Sequence, residues 1–460
     1  MLFHSREFLL LFLPAFLVPY LLLRGTRLSN VFLLVASYVF YAGWDYRYCG
    51  LILLSTTIDW FAARWIAKSA NPAVRRTLLI ASITASLSIL GFFKYAGFGV
   101  EVANALFGGW LHGHVPAIDV LLPVGISFYT FQSMSYTIDV YRGTVRPAER
   151  FVDFACFISM FPQLVAGPIV RYAQVESALK ARRIDADDVT FGVHRFAVGL
   201  CKKAILGDSL AEIADPIFAS TNPGFAAAWV GALAFTLQIY FDFAGYSDMA
   251  IGLGRLLGFR FPANFDAPYL AVGLRDYWRR WHITLSTWLR DYLYVPLGGS
   301  RRGRPRVYLN LVVTMLLGGL WHGAAATFVV WGAYHGLLLC VEHALQGRNP
   351  LARLPVGVRR AGTFLLILLG FVVFRSPDLS TAWAFLGAMV RPERLSAPEL
   401  APWSLGILAG AMLLAFRRSE TPWTPPFTTW RAVAATAALL LIGMAFGLEG
   451  DYTPFIYFQF

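Results

Sequence analysis

Between residues 276 and 335 the chain carries three histidines, five tryptophans and a knot of arginines. One of the histidines, His322, sits in Gly319-Leu320-Trp321-His322-Gly323 between two apolar runs. A histidine at membrane depth costs free energy unless it pairs or lines a wet cavity, so such a residue is a candidate for function. With a reference pKa of ~6.5, imidazole accepts a proton near neutral pH and suits general-base work. His282 and His335 are its nearest companions in sequence. Hydrolase chemistry has no support, because no serine stands in a G-x-S-x-G elbow. HExxH spacing is also absent, and Asp242 and Asp248 are remote from His322, so no metal is expected.

The elements that must position these residues are those of a membrane protein. The 460 residues are 57% apolar and 14% charged, with a mean hydropathy of +0.57. Soluble domains average roughly 45–50% apolar and about 25% charged residues. Apolar runs of near-spanning length recur near 7–23, 29–44, 48–67, 77–98, 118–140, 151–170, 190–216, 226–254, 284–297, 307–322, 325–346, 361–375, 403–416 and 431–448. An all-α, polytopic integral membrane protein with 11 to 14 spanning or re-entrant segments is expected (about that many, from the run lengths). No long polar linker divides it, so residues 1–460 read as one membrane domain with its core motifs in 118–346. The first run is followed by Arg-Gly-Thr-Arg and no small-x-small site, which marks a retained span.

The formal charge of +12 does not point to nucleic acid, because the basic residues sit in short loops between apolar runs. Arg24, Arg27, Lys68, Arg75, Arg76, Arg142, Arg146 and Arg150 place their loops in the cytoplasm, whereas 99–117 has no lysine or arginine. The four cysteines are scattered among apolar neighbours and form no disulfide framework. Both flanks of 151–170 are basic, and it ends in Phe-Pro-Gln-Leu-Val-Ala-Gly-Pro, which breaks a helix. A re-entrant or interfacial segment lining a cavity satisfies both facts. Arginines before and after 307–346, at Arg306 and Arg348, make that stretch a hairpin with Trp321-His322-Gly323 at its apex. Its first apolar arm of about sixteen residues reaches ~24 Å, so the apex is expected inside the membrane.

On a helix begun by Asp276 as N-cap, Trp278, Trp281, His282 and Leu285 share one face. On the second hairpin arm Thr327, Trp331 and His335 form a stripe, and Gly318, Gly319 and Gly323 let backbones meet around His322. The plainer alternatives are an interfacial belt for the tryptophans, Trp288 above all, and a satisfied core histidine for His335. Asp242 is expected to face the interior, bonded to a tyrosine, an arginine or water.

Several stretches resemble, in order, the membrane-bound O-acyltransferase (MBOAT) family, in its branch of bacterial alginate O-acetylation proteins. They are WRRWHITLSTWLRDYLYVPLGG, LLGGLWHGAAATFVVWGAYHG, LPVGISFYTFQSMSYTIDVYRG, FPQLVAGPIVRY, GLCKKAILGDSLA, IYFDFAGYSDMAIGLGRLLGF and FPANFDAPY, with FIYFQF at 455–460. The resemblance implies a helical bundle around a central tunnel and transfer of an acyl group from a thioester to a hydroxyl. It makes His322 the catalytic histidine, with His282 where relatives carry a second His or an Asn. Substrate and donor contacts are expected at Trp278, Arg279, Arg280, Trp281, Trp321, Trp331, His335, Asp242 and Gln163. No bound cofactor is implied. Acetyl-CoA is the expected donor, exopolysaccharide the acceptor, and a periplasmic acetyltransferase with secretion-complex proteins the partners. The expected location is the bacterial inner membrane, among its lipids. Competing readings are D-alanyl or other acyl transfer to a cell-wall polymer, a transporter or flippase built on the same broken helices, and a non-catalytic scaffold. The arginine clusters predict that single cysteines at Gly303 and Gly109, in a cysteine-free background, label from opposite sides. Gly303 should react with cytoplasmic reagent only, and same-side labelling would remove the two-sided topology.

Overall fold

A computed structural model describes residues 1–107, 115–116, 120–345, 353–392, 400–417, 429–449 and 455–456, and among these every regular element is a helix. Gly109, Arg348 and residues 457–460 lie outside the described residues, as do 108–114 and 117 of the lysine- and arginine-free stretch 99–117. Among the described residues, four helices are long and apolar enough to cross a membrane: Pro72–Phe107, Phe225–Leu256, Val356–Arg375 and Trp430–Leu448. The described chain divides into two compact units, Met1–Val193 with Ala250–Pro262, and His194–Met249 with Ala263–Phe460.

The first unit contains α1 (Leu13–Leu23), α2 (Leu28–Asp45), α3 (Cys49–Lys68), α4 (Pro72–Phe107), α5 (Ile126–Arg142), α6 (Phe151–Ser159), α7 (Phe161–Leu164) and α8 (Tyr172–Lys180). Helix α3 packs against α4, α5 and α6. At that junction the Asp59 carboxylate, fully buried, accepts hydrogen bonds from the hydroxyls of Ser82, Ser86 and Ser133. The apolar run at 151–170 is broken as its prolines and glycine require: α6 stops at Ser159, α7 lasts one turn, and the backbone then runs irregularly to Tyr172. Every residue from Asp153 to Val170 is buried, the condition for irregular backbone at membrane depth. Phe161 anchors it, with ring centroids 5.1 to 6.5 Å from Phe3, Phe8, Phe12, Phe16 and Phe40.

Helix α9 (Ala186–Cys201) runs from the first unit into the second and continues through a π-turn, Lys202–Gly207, into α10 (Asp208–Ala219). The second unit adds most of α11 (Phe225–Leu256), then α12 (Leu274–Arg280), α13 (Ile283–Leu289), α14 (Gly303–His322), α15 (Ala326–Ala344), α16 (Val356–Arg375), α17 (Leu379–Ala388), α18 (Ser404–Ala415) and α19 (Trp430–Glu449). Helix α17 falls outside the apolar runs named from sequence, and Phe385 on it stacks on Phe218 at 4.3 Å.

Helices α14 and α15 form the expected hairpin, with Trp321-His322-Gly323 at its apex. Helix α14 begins a turn earlier than its apolar run, because Gly303–Arg306 is polar yet helical. Two glycines allow the arms to touch backbone to backbone. A Cβ on Gly319 would overlap the carbonyl oxygen of Phe328, and one on Gly332 would stand 2.5 Å from that of Met315. Such contact gains van der Waals packing that lipid cannot supply. Gly319→Ala is therefore expected to destabilise by about 1–3 kcal/mol through overpacking, seen as a lower thermal midpoint in detergent. Gly387→Ala, with nothing near its Cβ, should lower it not at all.

Candidate active site

The single helix expected from Asp276 onward is two helices in the structure, broken at Trp281–His282. His282 takes φ +41° and ψ +55°, a left-handed conformation that costs a non-glycine residue about 1–2 kcal/mol. The cause lies in the 264–266 loop alongside. The Ile283 N–H donates to the Asn264 carbonyl at 2.9 Å. The Thr284 N–H and hydroxyl donate to Asn264 Oδ1 at 3.2 and 2.9 Å, and the Asp266 N–H donates to the Arg280 carbonyl at 2.9 Å. Asn264 thus caps α13 from outside the helix. Trp278, Trp281, His282 and Leu285 consequently do not share a helix face.

Asp276 is not the N-cap either. Gly273 holds that position, while Asp276 Oδ2 accepts the Val272 N–H at 3.1 Å and Oδ1 takes Arg280 Nε at 2.8 Å. The α12 N-terminus is satisfied instead by Glu342 of α15, whose Oε2 accepts the Leu274 N–H at 2.6 Å and the Arg275 N–H at 3.3 Å. A charged acceptor at a helix start is favourable electrostatically and as a hydrogen bond.

These devices bring His282 and His322 together, with ring centroids 6.5 Å apart. That separation is too long for a direct hydrogen bond between the rings and short enough for one reacting group to touch both. Both residues are buried. Trp331 stands edge-on to His322 at 5.2 Å, and Trp321 lies 5.8 Å from His282. Phe374 of α16 closes on His322 at 5.3 Å, and Phe243 of α11 meets His282 edge-on at 4.7 Å. On the far side of Trp331 comes His335 at 4.7 Å, then Trp278, 5.2 Å from His335. The stripe of Thr327, Trp331 and His335 on α15 is buried. Among the described residues, the buried Trp278 Nε1, Trp331 Nε1 and His335 Nδ1 of this row have no hydrogen-bond partner, and neither has Thr314 Oγ1 on α14. Buried donors are normally satisfied, so each such atom calls for an explanation.

The remaining residues named from sequence make contacts of their own. Trp281 packs on Phe371 at 5.4 Å and on Phe265 at 5.1 Å. Arg279 is exposed, and Arg280 pairs with Asp276 at 2.8 Å and Asp266 at 3.6 Å. Asp242 pairs with Lys203 at 2.8 Å. Gln163 belongs to the first unit, where its Nε2 donates to the Phe157 carbonyl. Phe374, Phe243, Asn264 and Glu342 escaped the sequence reading. None of these carried a readable signal: Asn264 caps a helix about twenty residues further along the chain, beyond the reach of a local capping pattern.

Residues 149–355, which hold the two histidines and the row behind them, match the membrane-bound O-acyltransferase family. The chain belongs to that family, and is a multi-pass membrane O-acyltransferase. It falls in the alginate O-acetylase-like branch. It is 43% identical to the probable alginate O-acetylase AlgI of Pseudomonas putida, over all of both chains. A peptidoglycan O-acetyltransferase of Helicobacter pylori is 32% identical over all of this chain and 98% of that protein. A teichoic acid D-alanyltransferase of Bacillus subtilis is 26% identical over 57% of this chain and 70% of its own.

The helix break at His282 generates a test. Asn264→Ala should cost about 1–2 kcal/mol through loss of the cap, measured as a lower thermal midpoint in detergent. Asn264→Asp, which keeps the acceptor, should recover most of it.

Proposed function

We propose that the chain moves an acetyl group from cytoplasmic acetyl-CoA to hydroxyls of an exopolysaccharide such as alginate, directly or through a periplasmic partner, in the bacterial inner membrane. The observation that carries the reading is the buried pair of imidazoles 6.5 Å apart, within the stretch that matches the family. His322 takes the proton from the acceptor hydroxyl as its oxygen attacks the thioester carbonyl. The carbon–sulfur bond then breaks, and the departing thiolate takes the proton back from the imidazolium. His282, across the gap, holds the thioester carbonyl. The unpartnered indole N–H groups of Trp278 and Trp331 and the hydroxyl of Thr314 support a donor with several carbonyl oxygens along an extended arm, as a pantetheine thioester has. Arginines of 301–306 supply positive charge for its phosphates.

Replacing His322 with Ala should lower polymer acetylation in cells by about 10²–10⁴-fold, the usual cost of a lost general base, at unchanged membrane protein level. His282→Asn should be milder than His282→Ala, because the amide keeps a hydrogen-bonding group. Purified protein should release free thiol from acetyl-CoA only with an acceptor present. Near-normal acetylation by well-expressed His322→Ala would end the assignment.

A further inference from the structure

Asp242 was expected among the donor contacts, yet its carboxylate is engaged elsewhere. One oxygen meets Lys203 Nζ at 2.8 Å, and the other accepts the backbone N–H of Ile456 at 3.0 Å. Lys203, only 1% exposed, also pairs with Asp208. The π-turn after α9 lets this happen: Gly207 lies so close to α11 that a Cβ there would stand 3.2 Å from the Asp242 Cα and N. Single-turn π segments inside helices recur at functional sites. Burying such charges is rarely the stable choice compared with apolar packing, and its best-attested use is to fix geometry.

What the carboxylate holds is a two-residue stretch, Phe455-Ile456, buried in the second unit. The Ile456 N–H on Asp242 fixes the register, and the Phe455 ring then lands on α11 one step further, 4.8 Å from Tyr246 and 5.7 Å from Phe243. Phe243 faces His282 edge-on at 4.7 Å and is flanked by Phe265 at 5.1 Å. The polar anchor and the histidine are thus joined through two aromatic rings.

We propose that Phe455-Ile456, moored to Asp242, is a positioning element for His282: Phe455 backs Phe243, and Phe243 sets the plane of the imidazole. Asp242, Phe243 and Phe455 are positioning residues and touch no substrate. The consequence for transfer rests on the function proposed above, whereas the effect on the His282 ring does not.

The test uses the full chain in detergent or nanodiscs, with ¹⁵N-labelled histidine and the His282 signal identified by its loss in His282→Asn. Phe455→Ala should shift or broaden that signal and lower kcat by about 10–100-fold, the scale of a small misplacement, with little change in donor KM. Phe455→Leu, which refills most of the space, should restore both. Phe218→Ala removes a comparable ring from the same unit and should lower thermal stability while leaving the His282 signal and kcat alone. Should Phe455→Ala not fold, the near-isosteric Asp242→Asn, which loses the charge facing Lys203, should give the same signature in smaller measure. An unmoved His282 signal in folded Phe455→Ala or Asp242→Asn overturns the proposal. A moved signal with unchanged transfer upholds the positioning and removes His282 from the chemistry.

Discussion

The touching backbones of α14 and α15 are the contact on which the site depends. Lipid gives helices no hydrophobic reason to associate, so shape must do it. Two glycines, Gly319 and Gly332, bring the arms to a spacing that no larger residue permits. That spacing sets where His322 stands at the end of one arm relative to Trp331 and His335 on the other. It also carries Glu342 along α15 to the start of α12, so the hairpin reaches back to the segment that bears His282. A change of even a methyl group at the glycines would be felt at both imidazoles.

His282 is placed by the opposite device. Where His322 finishes a regular helix, His282 occupies a break in one, in a backbone conformation that local energetics disfavour. The hydrogen bonds of Asn264 with Ile283 and Thr284 offset that cost. A histidine inside a helix has its direction dictated by the helix axis. One at a break can be placed independently, and here it stands 6.5 Å from a second imidazole. Strain retained by its surroundings is a common mark of functional positions.

The hairpin was legible because its signals are local: two apolar runs, flanking arginines and a glycine-bracketed histidine at the turn. The break at 151–170 was legible for the same reason, since prolines and glycine sit within it. The break at Trp281–His282 was not, because no proline or glycine marks it and regular spacing of Trp278, Trp281 and Leu285 imitates a continuous helix. Its cause lies in a loop some twenty residues upstream (Asn264 to Thr284), and helical periodicity carries no trace of it. Phe374 and Phe243 were hidden likewise, as ordinary apolar residues on helices far from the histidines in sequence. Asp242 was rightly read as interior, yet the partners proposed for it were not those found. A lysine from a π-turn and a main-chain N–H leave no pattern near the aspartate.

The enclosed stretch from Asp153 to Val170 bears on how the protein is made. A chain entering a bilayer is sorted segment by segment, and each segment moves into lipid if its exposed surface is apolar enough. This one leaves no backbone or side chain for lipid to solvate, and its irregular part has main-chain groups that hydrocarbon cannot satisfy. It is therefore poorly suited to partition alone. Its walls are α2, α3 and α5, all synthesised before it, so the receiving surface exists when it emerges. Biogenesis then has a fixed order, and a lesion in α2 or α3 would surface as a failure to admit a segment made a hundred residues later (about that far along the chain), with the unadmitted segment exposed to quality control.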